Sequence, residues 1–96
     1  MDATVFRGSL GGDAPPEGIS SALAGLWWDA KGDWHEAHKC AQAQDDAEGA
    51  AVHAYLHRKE GDLSNAGGWY SRAGRPMPSG PLADEWDSLV AALLNP

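Results

Sequence analysis

Gly32-Asp33-Trp34-His35-Glu36-Ala37 and Gly61-Asp62-Leu63-Ser64-Asn65-Ala66 carry one signal twice, 29 residues apart. Glycine ends a helix because it enters the left-handed conformation without a Cβ penalty. The aspartate that follows accepts hydrogen bonds from the free N–H groups of the next helix. In the first copy Glu36, three residues after Asp33, completes a capping box. A fixed period of about 20–50 residues marks stacked helical units. The chain therefore reads as all-α, with about five helices: two hairpins and a C-terminal helix that caps the second.

Working outward, Pro15 and Pro16 suit a helix start, and Ile19, Ala22, Leu23, Leu26, Trp27 and Ala30 recur at spacings of three and four. They predict a first helix over 17–31. Trp34, Ala37, His38 and Ala41 face inward on a second, running to about residue 44. Asp45 and Asp46 cap a third, with Ala47, Ala50, Ala51, Ala54, Tyr55 and Arg58 along one stripe. A fourth carries Leu63, Ala66, Trp69, Tyr70 and Ala73, with Gly67 and Gly68 inviting close approach by another helix. Residues 74–81, GRPMPSGP, form a loop, and Leu82, Trp86, Leu89, Val90, Leu93 and Leu94 give the last helix a wide apolar face. That face caps the second hairpin or, alternatively, joins two copies in a homodimer. No segment alternates with period two, so no strand is expected. Residues 1–14 read as a flexible N-terminal segment, with Val5 and Phe6 as its docking residues, and 15–96 as a single helical domain.

The net charge of −7 argues against nucleic acid and anionic membranes, both of which need clustered Lys and Arg. No apolar run reaches the length of a membrane span or a secretory signal, and a single cysteine, Cys40, allows no internal disulfide. The expected compartment is cytoplasmic. Of the five Trp, Trp28, Trp34, Trp69 and Trp86 are expected in the core. Trp27 and Trp28 point about 100° apart, so one of them lies near the surface.

With these positions in place the chain resembles the tetratricopeptide repeat over residues 19–78. Gly61, Ala66, Tyr70, Ala73 and Pro78 fall at that motif's turn, contact and terminal places, as do Gly25, Trp28, Gly32 and Ala37 in the first copy. Ala41 and Gln44 depart from it, and the period of 29 is shorter than the motif's 34 or so. The block His53–Ala66, HAYLHRKEGDLSNA, is also similar to a family of short bacterial and fungal proteins without an assigned function. The repeat resemblance implies a shallow groove lined by the first helix of each hairpin. Leu26, Asp29, Tyr55, Arg58 and Lys59 fall at its ligand-contacting places, with Arg58 and Lys59 as a positive spot for a partner protein or acidic peptide. The alternative is that Arg58 pairs with Asp29 or Asp62 inside the fold.

One further constellation carries chemistry. His53, His57 and Glu60 share a side of the third helix, away from Ala47, Ala51, Ala54 and Arg58. Two His at i,i+4 with a carboxylate suit a divalent metal, and His35 and His38 are placed to add to them. The competing reading is a solvated polar face. No nucleophile motif or phosphate loop accompanies these residues, so the sequence points away from an enzyme and to no cofactor.

Overall fold

A computed structural model describes residues 1–95. Six α-helices are present among them: α1 Ala3–Gly8, α2 Ser21–Ala30, α3 Trp34–Ala43, α4 Ala47–Glu60, α5 Leu63–Ala73 and α6 Leu82–Leu94. No strand occurs among the described residues. None of these helices is long and apolar enough to cross a membrane.

The three aspartate caps form as their spacing predicts. Asp33 accepts from the Glu36 N–H at 3.0 Å, Asp46 from Gly49 at 2.8 Å and Asp62 from Asn65 at 3.2 Å. Gly61, at φ +90°, ends α4 in the left-handed region, and the Asp62 N–H reaches back to the His57 carbonyl. Short turns thus fold α2 onto α3 and α4 onto α5 as two hairpins, and α3 lies against α4 between them.

Four expectations are corrected. The first helix starts at Ser21 and not at 17, because Gly18 takes φ +82° and Ser20 supplies the cap to the Leu23 N–H. The N-terminal segment contains a sixth helix, α1, continued by a 3₁₀ turn over Ser9–Gly11; its Phe6 is completely buried while Val5 points outward. Gly67 and Gly68 meet no other element, since a Cβ built on either has open space around it. The close approach sits at Gly25, whose Cβ would come within 3.1 Å of the Ala37 carbonyl and 3.3 Å of Val52.

The fourth correction concerns α6. It does not cap the end of the second hairpin but lies across the face made by α2 and α4, with α1 beside it. Leu89, Val90 and Leu93 are buried there, and the Trp86 indole N–H donates to the Leu26 carbonyl at 2.9 Å. The body thus covers the middle of its apolar side, while Leu82, Trp86 and Leu94 stay partly exposed. Trp27 proves to be the fully buried tryptophan, with its N–H on the Ser9 hydroxyl; the other four are partly exposed.

Helix α4 is the centre of the arrangement. α2, α3, α5 and α6 all pack on it, and every residue from Gly49 to His57 is buried. A helix enclosed on all sides cannot keep a solvated face. Its polar residues must find partners within the protein.

Candidate functional site

On the α3 and α5 side of α4, three imidazoles converge. One ring nitrogen each from His38, His53 and His57 lie within 4.8 Å of one another. His53 and His57 are 4% and 7% exposed, so the expected solvated face is in fact interior. The third member is His38 from α3. Glu60, expected as a ligand beside His53 and His57, instead accepts from His57 Nδ1 at 2.6 Å. His35 stays outside, exposed and edge-on to Trp34.

The surroundings hold these rings in place. Trp34 stacks on His38 at 5.0 Å between centroids, and its indole N–H is fixed on the Leu56 carbonyl. Trp69 from α5 stacks on His53 at 3.8 Å, and the Arg72 guanidinium covers the far face of Trp69. With Nδ1–H given to Glu60, His57 keeps its lone pair on Nε2, and the Asn65 amide stands 3.4 Å away. No hydrogen bond from another described residue reaches the ring nitrogens of His38 or His53, and none of these nitrogens is sealed from solvent without a partner.

Burial sets their protonation. It lowers the pKa of His53 to about 4, helped by His38, His57 and Arg72. It lowers that of His38 too, followed by repulsion from His57, against a smaller opposing pull from Glu60. Both are neutral imidazoles at pH 7 with lone pairs to offer. A folded-state pKa below the unfolded value of about 6.5 means that the unfolded chain binds more protons between pH 6.5 and 4. The metal-free protein should hold its full stability above pH 6.5 and lose up to about 3 kcal/mol as pH falls to 4. Urea unfolding across that range measures it, and a His53→Gln variant should show a flatter profile. Equal slopes in the two proteins would contradict the assignment.

The residues expected to line a groove are divided by the fold. Leu26 is fully buried in the core. Arg58 turns away to Glu85 of α6, at 2.9 Å, and to the Gly80 carbonyl. This corrects both earlier alternatives, a free positive spot and a pairing with Asp29 or Asp62. Asp29 accepts from the Tyr55 hydroxyl and from Lys59 Nζ, each at 2.7 Å. Burial and that carboxylate push the Tyr55 pKa far above its ordinary range. Asp29, Tyr55 and Lys59 do come together, on the wall of a cleft left open between α6 and the body.

His38, named from the sequence as an added ligand, lies 15 residues before His53 on another helix, so spacing alone could not fix their meeting. Its one signal was the inward position beside Trp34 and Ala37. Glu85, off the apolar stripe of the last helix, is 7% exposed and binds Arg58 and Tyr70.

Comparison with family models, with curated proteins and with solved structures finds no match for the chain.

Proposed function

We propose that this is a small helical metal-binding protein that holds one divalent ion, zinc by preference, on His38, His53 and His57. The observation that carries the reading is the convergence of three buried or half-buried imidazoles, two of them kept neutral and without hydrogen-bond partners. Neutral imidazoles whose nitrogens no other side chain takes up keep their lone pairs available to an ion. Tetrahedral zinc needs nitrogens about 3.3 Å apart at bonds of about 2.0–2.1 Å. Zinc would require the ring nitrogens, now within 4.8 Å of one another, to draw closer. Glu60 supplies the carboxylate that commonly orients a metal-bound histidine.

His38 belongs to the first hairpin and His53 and His57 to the second, so the ion ties the two hairpins together. Three protein ligands leave one position for water or a small anion, the pattern of a reactive zinc and not of a closed structural one. The tetratricopeptide-like stacking of the hairpins and an acidic-peptide partner are the other reading. It has less support, because α6 covers the α2–α4 face and Arg58 is committed to Glu85.

Titrating chelator-treated protein with Zn²⁺ by calorimetry should give one site. Saturation at about 100 times Kd should add roughly 2.7 kcal/mol to stability. Cobalt should give the visible bands of a four-coordinate ion. His38→Gln and His53→Gln, with helical content checked by circular dichroism, should each weaken binding by more than about 100-fold. Binding that is absent, or equally strong in both variants, would sink the proposal.

A further inference from the structure

We infer that the cleft between α6 and the body is a second, independent binding site, for a small carboxylate with an apolar aliphatic or aromatic body. It is an open cleft of about 390 Å³, within the range of roughly 300–1,000 Å³ usual for small-molecule sites. Leu10, Ala30, Leu82, Ala83 and Trp86 supply an almost wholly apolar lining. A helix about 10 Å across does not fit there, and α6 already fills the rest of that face. The space suits a molecule of modest size.

The charge at the mouth selects the head group. Arg7 and Lys59, two of the seven Lys and Arg in an acidic chain, stand on the rim with side chains 45% and 41% exposed. Each also lies beside a carboxylate of the cleft, Lys59 beside Asp29 and Arg7 beside Asp87, the latter 53% exposed, but neither base is used up. Asp29 sits 3% exposed beneath Lys59, with its oxygens on Tyr55 and Lys59, so it presents no free charge to the cleft. Lys59 spends one of its three donors on Asp29. Arg7 reaches Asp87 through Nη2 alone, leaving Nη1 and Nε without a protein partner among the described residues. Donors not taken by Asp29 or Asp87 thus remain on two residues that border an apolar space, a setting in which charge-assisted hydrogen bonds to a carboxylate gain strength.

Octanoate and uncharged 1-octanol are the probes, followed through the tryptophan indole signals in the NMR spectrum of the full chain without metal. Octanoate should bind saturably, and octanol about tenfold more weakly, the worth of one charge-assisted hydrogen bond. Arg7→Met should weaken octanoate by a similar factor at little cost to folding, since an exposed ion pair contributes little to stability. Ala83→Trp, at an exposed position on the rim, should fill the cleft and abolish binding while the melting temperature holds. No saturable shift, octanol equal to octanoate, or unchanged affinity in either variant would overturn the inference. Zinc binding should be unaffected in both variants, so failure here leaves the histidine site untouched.

Discussion

Gly49→Ala should destabilise the protein by about 2–3 kcal/mol, although alanine is the better helix former by about 1 kcal/mol. A Cβ there would fall 1.8 Å from the Gln44 carbonyl oxygen and 3.1 Å from that of Ala41. These are backbone atoms, and their segment is pinned. Gln44 accepts from the Ala22 N–H at 2.8 Å and donates to Asp46, the residue that caps α4. Making room would pull apart the α3–α4 turn and the α2 N-terminus with it. Gly67→Ala and Gly68→Ala are the controls. Their Cβ atoms meet nothing within 4 Å, so each should stabilise the fold by about 0.5–1 kcal/mol. Urea unfolding followed by circular dichroism reads all three. A neutral Gly49→Ala would mean that the turn yields.

The second large effect is expected at Glu85. Its carboxylate takes the Arg58 guanidinium at 2.9 Å on one oxygen and the Tyr70 hydroxyl at 2.5 Å on the other. The two charged side chains are 13% and 6% exposed. Glu85→Ala leaves Arg58 charged and unpaired beneath α6, and such a loss costs on the order of 3–5 kcal/mol. The double variant Arg58→Met, Glu85→Ala should be more stable than Glu85→Ala alone, because no orphaned charge remains. If the double variant is the less stable of the two, the network is not the source of the effect.

What the sequence disclosed was local. Asp33, Asp46, Asp62 and Gly61 act within three or four residues of themselves, so caps and turns could be placed from spacing alone. α1 escaped because a six-residue helix with one buried anchor, Phe6, leaves no periodic stripe. The position of α6 escaped because an apolar face says that something covers it, not what. The same limit governed the histidines. A stripe argument assigns one inward side per helix, and α4 is enclosed all round. The sequence therefore left His53 and His57 between a metal site and a solvated face, and their meeting with His38 was set by the packing of α3 on α4. Arg58 was placed in a groove by the repeat resemblance, which carries no information on α6 or on the Glu85 it brings.

The placement of α6 also orders events in time. Each hairpin closes over a turn of two or three residues and joins neighbours in the chain, which makes it quick to form. The Trp86–Leu26 hydrogen bond spans 60 residues, and the loop it closes carries the larger entropic cost. During synthesis the face of α2 and α4 waits uncovered, its apolar side chains and Arg58 in water, until α6 has left the ribosome. Final consolidation of this fold is thus tied to α6, which is made after the five helices before it.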